Sequence, residues 1–525
     1  MHCRRLTGLV LLVLGLTGAA IAADRAGAAA APAPTLADAT EHRDKARVRS
    51  LLAAGVDVNA TQVDGTTALH WAAYNDDAET AALLVRAGAN VNALNRYGVP
   101  PLSLACTNGS AGVVKLLLTA GADANATMKS GETVLMLAAR AGNLDAVKAL
   151  LVHGAKHDVR ERKGQTALMW AAAEGHADIV RALIEAGADI KTTLDSGFTP
   201  FFFAVREGRI DVVKEFLKAG VDVNATVQRP ERAPGPPGAN AYRGAIPKGT
   251  SPLLMAVQNG HFELAIALVD AGANPNDQRM GFTPLHMLSW VRKPDSSDVS
   301  DPGPIGSGRL TSLEFVREIA KRGANVNLRL DKGAPKVPNT SSRIGTEGAT
   351  PFLLAADRSD VPLMKLLLEL GADPMMPNAI GTTPLMVAAG LETTEPLEEA
   401  GEEPEALEAV KMLLDLGADI NAVDSNGDTA MHGAAYAQYP LVVKLLAERG
   451  ADPQIWKNAN KAGVTPLFAA EGHIGRLPRP DQPTIEAVTR LMVAAGLSLE
   501  GERPAIKDIY EKPAAPPKPA TAEKP

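Results

Sequence analysis

The chain has 525 residues, 46% apolar and 22% charged, a balance ordinary for a folded soluble protein. Only 4% are aromatic, so packing must rest on Ala, Leu and Val, and a formal net charge of −7 argues against a nucleic-acid partner.

The N-terminus reads as an export signal. Arg4 and Arg5 precede an apolar run, Leu6 to Leu16, and Ala20-Ile21-Ala22 has the small-x-small pattern of a cleavage site. The run is shorter than the about 20 residues of a membrane span. Residues 1–22 are therefore expected to be removed, with no stable membrane insertion afterwards and a periplasmic or secreted destination. An Ala/Pro-rich linker follows at 23–35. Cys3 leaves with the signal, so the remaining Cys106 has no internal disulfide partner. Cys106 falls where other copies of the repeat described next have Ala73, Ala139, Ala172 or Val205, which marks a small core position.

From residue 36 to 500 the chain is punctuated by glycines. Gly55, Gly88, Gly121, Gly154, Gly187 and Gly220 lie 33 residues apart, and Gly272, Gly323, Gly371, Gly417, Gly450 and Gly496 continue with wider gaps. A fixed period in this range predicts a stacked solenoid with no single central core. In the copy from Gly164 to Lys191, Thr166 is placed to cap a first helix that runs to about Glu174 and stops at Gly175. Ile179, Val180, Leu183 and Ile184 have helical spacing in a second helix, Asp178 to Ala186, and Gly187 supplies the left-handed end. Thr199-Pro200, Thr283-Pro284, Thr350-Pro351, Thr383-Pro384 and Thr465-Pro466 put proline at the first helical position, where its missing N–H is harmless.

This pattern of Gly-x-Thr-Pro-Leu-His, Ala-Ala, Gly-His and Gly-Ala-Asp-Val-Asn-Ala resembles the ankyrin repeat. Matches begin at Gly65, Gly98, Gly131, Gly164, Gly197, Gly249, Gly281, Gly348, Gly381, Gly427 and Gly463, after a degenerate copy from Leu36 to Ala60, about twelve in all. The resemblance implies an all-α repeat solenoid of helix–turn–helix units joined by β-hairpin-like finger loops. On that reading, insertions at 228–248 and 329–347 lengthen two fingers. Those at 291–309, 391–405 and 474–483 separate the two helices of a repeat. The finger insertions are net basic, +3 and +2, whereas Glu392 to Glu408 holds eight glutamates and no basic residue. The expectation is a basic finger edge and an acidic edge at the helix connections. Residues 501–525 form a proline-rich tail, expected to lack regular structure.

No metalloprotease, P-loop, dinucleotide or nucleophile-elbow motif is present, and neither a cofactor nor a metal is implied. His70, His286 and His432 recur in one repeat slot, and His176, His261 and His473 in another, as structural hydrogen-bonding residues do. Gly154 lies between His153 and His157, so the two share no helical face for a metal. Trp71 and Trp170 read as core between helices. Asn59, Asn125, Asn224 and Asn339 match a glycosylation acceptor, the first three as ordinary repeat residues.

These features favour a monomeric, non-catalytic scaffold for one or more proteins. By repeat position, the resemblance implies a binding surface of Tyr74, Asn75, Arg96, Tyr97, Thr107, Asn108, Arg140, Glu174, Arg206 and Glu207. The long finger adds Arg229, Arg232, Tyr242 and Arg243. The rival is a secreted enzyme or effector with a site in the inserted loops, although those loops contain no cysteine and no histidine but His473 at one margin.

Overall fold

The computed structural model describes residues 35–228, 248–294, 304, 306–332, 345–391, 393, 401–472 and 480–499. The signal and tail segments, the linker up to residue 34 and most of each insertion lie outside them, with Arg229, Arg232, Tyr242, Arg243, His473 and Asn339.

The chain divides into two compact units, residues 1–222 with 227–248, and residues 223–226 with 249–525. In the first, helices pair in order. They are α1 (Leu36–Glu41) with α2 (Lys45–Ala53), α3 (Ala68–Tyr74) with α4 (Ala78–Arg86), α5 (Pro101–Thr107) with α6 (Ala111–Thr119), α7 (Val134–Ala141) with α8 (Leu144–Val152), α9 (Ala167–Glu174) with α10 (Ala177–Glu185), and α11 (Pro200–Arg206) with α12 (Ile210–Lys218). The second unit contains α13 (Pro252–Gln258) with α14 (Phe262–Asp270), α15 (Pro284–Arg292) with α16 (Ser312–Lys321), α17 (Pro351–Asp357) with α18 (Val361–Glu369), and α19 (Pro384–Ala388) with α20 (Glu403–Asp415). It ends with α21 (Ala430–Tyr436) and α22 (Pro440–Glu448), a single turn α23 (Pro453–Trp456), and α24 (Pro466–Ala470) with α25 (Gln482–Ala494).

None of these helices is long enough to be stable alone. Their stability comes from burial between repeats. The first helix of each pair is buried almost all round: in α9, Ala167, Leu168, Met169, Ala171 and Ala172 are covered, and α7 and α11 pack on either side. The second is amphipathic: α10 buries Ile179, Val180 and Leu183 and leaves Arg181 and Glu185 outside. Cys106 is fully buried in α5, as its alignment with alanines requires. Threonine caps recur as expected. The Thr67, Thr133, Thr166, Thr350, Thr383, Thr429 and Thr465 hydroxyls each accept from the backbone N–H three residues on. Thr199 and Thr283 make no such bond.

The fingers are tighter than hairpins. Among the described residues there is no strand, only isolated antiparallel bridges at Thr61–Thr67 and Thr127–Thr133. The fully described fingers close as turns, as where Gln62 N–H donates to Thr66 O and Gly65 N–H to Gln62 O, both at 2.9 Å. The remaining polar groups turn sideways to the next repeat, where Arg96 N–H donates to Asp64 O at 2.8 Å. Gly65 is left-handed, and a Cβ there would stand 3.1 Å from the Arg96 nitrogen, so the close approach needs glycine.

An asparagine ladder runs beside the fingers. Asn59 Nδ2 donates to Gly88 O at 3.3 Å and its Oδ1 accepts from Asn90 N–H at 2.7 Å. Asn92 repeats this with Gly121 and Asp123, and Asn125 with Gly154 and Lys156. In the second unit Asn224, Asn276 and Asn327 do the same. The amides of Asn59, Asn125 and Asn224 are thus committed to the stack, which explains these sequence matches without glycosylation.

The described parts of the insertions are anchored to neighbouring repeats. Ser307 N–H donates to His261 Nδ1 at 2.9 Å, and Arg309 N–H to Glu263 Oε1 at 2.6 Å. Tyr439 Oη donates to Gly401 O at 2.6 Å, and Lys293 pairs with Glu405 at 2.7 Å. The described glutamates of the acidic stretch are engaged from within, while Glu392, Glu395, Glu398 and Glu399 lie outside the described residues. Glu408 pairs with Lys365 at 2.9 Å, and Glu403 accepts from Leu441 N–H at 2.6 Å. The repeated glutamates are legible in the sequence, but the lysines of other repeats that meet Glu405 and Glu408 are not.

Candidate functional site

In the first unit, the edges of the first helices that escape burial carry rings and guanidinium groups. On α3, Trp71 is half-buried and Tyr74 is 44% exposed; their rings meet edge-on, centroids 5.7 Å apart. Trp71 Nε1 donates to Gln62 Oε1 at 2.8 Å. Gln62 Nε2 in turn donates to Asp38 at 2.7 Å and to Glu41 at 2.8 Å. The Gln62 hydrogen bond, aided by the Thr35 amide, holds the Asp38 carboxyl below its ordinary range.

Three arginines lie on aromatic faces. Arg96 sits 5.3 Å from the Tyr97 ring centre and reaches Tyr97 Oη at 3.1 Å. Arg140 of α7 lies 4.7 Å from the Trp170 ring of α9, so this stack crosses from one repeat to the next. Arg206 of α11 faces Phe198 at 5.3 Å and Phe203 at 5.1 Å, and its Nε donates to Glu207 at 2.8 Å. Such stacking fixes a long side chain in place, so that fewer rotamers are lost when it meets another molecule. Trp71 and Trp170 are therefore not interior core. They are half-buried on their first helices. Their recurrence in one repeat slot reported a shared environment but not its depth.

Other residues of the predicted surface serve the stack. Asn75 Nδ2 donates to Thr40 O at 3.0 Å and Asn108 Nδ2 to Tyr74 O at 2.7 Å. A comparable rung, from the slot two residues later in the repeat, is made by Asn143 to Gly109 O, His176 to Arg140 O and Arg209 to Ala173 O. Thr107 Oγ1 bonds Ser103 O at 2.8 Å, and Glu174 is exposed at the end of α9. The sequence reading omitted Lys129, Arg162 and Lys163, which are exposed at finger tips. Alignment on the turn glycines reveals the signal: Arg96, Lys129 and Arg162 each stand two residues before Gly98, Gly131 and Gly164.

Among the described residues, the buried histidines of the Thr-x-x-His slot and Cys106 are held in structural roles. His70 Nε2 donates to Val99 O at 2.9 Å while Nδ1 meets Thr67 Oγ1 at 2.8 Å; His286 and His432 repeat the arrangement. Burial pushes His286 and His432 down to about 4 and lowers His70. Burial likewise drives the Cys106 thiol far above its usual range, so it is no nucleophile. Ser307 N–H and Oγ both stand 2.9 Å from His261 Nδ1, a contact that ties the insertion to the cap of α14. Among the described residues no cluster of His, Cys, Asp or Glu could hold a metal, and no helix is long and apolar enough to cross a membrane.

A family model described as ankyrin repeats (3 copies) matches residues 36–128, 113–194, 135–227 and 397–475. The single ankyrin repeat matches 248–279 and 347–379. Ankyrin repeat and SOCS box protein 6 of Homo sapiens is 31% identical over 160 residues, 28% of this chain and 35% of that protein. The E3 ubiquitin-protein ligase KEG of Arabidopsis thaliana is 27% identical over 208 residues, 36% of this chain and 12% of the ligase. The Neurogenic locus Notch protein of Drosophila melanogaster is 36% identical over 136 residues, 23% of this chain and 5% of that protein. The matches thus span about a third or less of each relative. With family matches over more than half its length and helix pairs throughout, the chain belongs to the ankyrin-repeat family.

Proposed function

We propose that this protein is an exported, monomeric, non-catalytic scaffold that binds other proteins through the finger tips and first-helix edges of its first unit. The observation that carries this reading is the set of arginines stacked on aromatic rings, above all Arg140 on Trp170 across two repeats. Rings and guanidinium groups dominate protein-binding hot spots, and here they are ordered before any partner arrives. The similarity to repeat regions in proteins as unlike as a SOCS box protein, a ubiquitin ligase and Notch supports a binding module. Since the match covers 12% of the ligase, its activity does not transfer. Export rests on Arg4, Arg5, the Leu6–Leu16 run and Ala20-Ile21-Ala22.

Crosslinking in cells, identification of the captured protein and titration with purified chains test the reading. Tyr74→Ala with Trp170→Ala should weaken that partner about tenfold or more, whereas Lys115→Ala on α6 should not. Thermal melts check that the variants remain folded. Equal affinity in wild type and the double variant would remove this surface from the proposal. The recovered chain should begin at Ala23; an intact N-terminus would remove signal cleavage.

A further inference from the structure

We propose that the three successive fingers at Gly98, Gly131 and Gly164 form a basic row that receives an extended acidic segment of the partner protein. The inference rests on the scaffold reading and specifies what that surface recognises. Arg96, Lys129 and Arg162 occupy one position in successive turns, with Lys163 beside Arg162, and all four are exposed. The fingers touch in series. Lys129 Nζ donates to Arg96 O at 3.1 Å, and a Cβ on Gly131 would stand 3.4 Å from the Arg162 nitrogen.

What sets this row apart is the pairing of charges around it. On the second helices several cations are matched from repeat to repeat, though Arg86 and Lys148 are not among them. Lys45 meets Asp77 and Glu79, Lys115 meets Asp145 at 3.3 Å, and Arg181 meets Glu215 at 2.9 Å. At the finger tips, none of Arg96, Lys129, Arg162 and Lys163 pairs with a carboxylate among the described residues. The carboxylates close by are turned into their own fingers. Asp64 accepts from Thr66 N–H at 2.9 Å, Glu132 from Ser130 at 3.2 Å, and Glu161 from Gln165 N–H at 3.1 Å. Several second-helix cations are thus neutralised, whereas every cation of the finger row is without an ion pair among the described residues.

The geometry sets the length and spacing of the occupant. Packed helices lie about 8–10 Å apart, so successive tips recur at that interval. An extended segment in the polyproline II conformation advances about 3.1 Å per residue with three residues per turn, so one carboxylate at every third position over about seven residues faces the row. The exposed ring of Tyr97 and the exposed Leu94 add apolar contact for the residues between. A flexible acidic peptide can follow the row, whereas the overall net charge of −7 opposes a polyanion as large as nucleic acid.

The test uses the full chain and a 15-residue synthetic peptide with glutamate at every third position, titrated by fluorescence anisotropy at low and physiological salt. We expect saturable binding that weakens as salt rises. Arg96→Ala/Lys129→Ala/Arg162→Ala should lose about tenfold in affinity, while Lys115→Ala/Lys148→Ala/Lys214→Ala, with equal loss of charge, stays near wild type. Equal loss in both triple variants would mean only net charge is read, and overturns the row. So would tighter binding of a single-stranded oligonucleotide or of phosphatidylglycerol vesicles than of the peptide. If the row fails while Tyr74→Ala with Trp170→Ala still weakens partner binding, the scaffold reading stands and only the partner's chemistry falls.

Discussion

His286 and His432 show how one slot can be read in two ways. Each ties a first helix to the next repeat through a backbone carbonyl, and each is held neutral by burial. Their folded values lie near 4, below the ordinary 6.5, so the unfolded chain takes up protons first on acidification. Their contribution is complete above pH 6.5 and declines as pH falls toward 4. At pH 5 each should have lost about 2 kcal/mol of stability relative to neutral pH. Other repeats place Met136, Met169 and Met386 in this slot. His286→Met with His432→Met should therefore flatten urea-unfolding stability between pH 7 and 5, and an unchanged slope would refute the assignment. The sequence identified these histidines as structural because they recur. It did not give their carbonyl partners, which lie as far as 63 residues away.

At the scale of elements, caps and helix ends were legible because they depend on neighbours three or four residues distant. Thr166, Gly175 and Gly187 act as their spacing required. The insertions were legible only as interruptions, because their anchors come from other repeats. Arg292, where α15 gives way to the insertion, donates from Nε to Asp360 Oδ2 at 2.6 Å and from a terminal nitrogen to Oδ1 at 2.9 Å, and also reaches Ser312. Asp360 is fully buried at the cap of α18, so removal of the guanidinium leaves an uncompensated interior charge. Arg292→Met should destabilise the second unit by about 3–5 kcal/mol, measured by thermal or urea unfolding. A change under about 1 kcal/mol would show that solvent reaches Asp360 and that the pair is no anchor.

Across the whole molecule, the period made the repeat architecture legible, and it hid the site for the same reason. Averaging over copies emphasises what every repeat shares, which is packing. Repeat position already pointed to Arg96, Arg140 and Arg206, but their stacking on rings shows only in place, and Lys129, Arg162 and Lys163 were hidden. The asparagine ladder offers a like contrast. Asp158 takes the place of an asparagine; it accepts from Asp189 N–H at 3.0 Å but has no amide to offer Gly187 O, and Lys191 next along supplies neither half of a rung. Under tension these rungs are links in series, and such a chain parts at its weakest link. The first unit should yield between the repeats joined at Asp158 and Lys191, sparing the asparagine-linked repeats before them. Asp158→Asn should add about 1 kcal/mol in urea unfolding and raise the lowest rupture force in single-molecule pulling; no shift in either would mean the missing rung carries no load. A chain tuned to hold a partner would then also carry, by one carboxylate and one lysine, the place where it gives way.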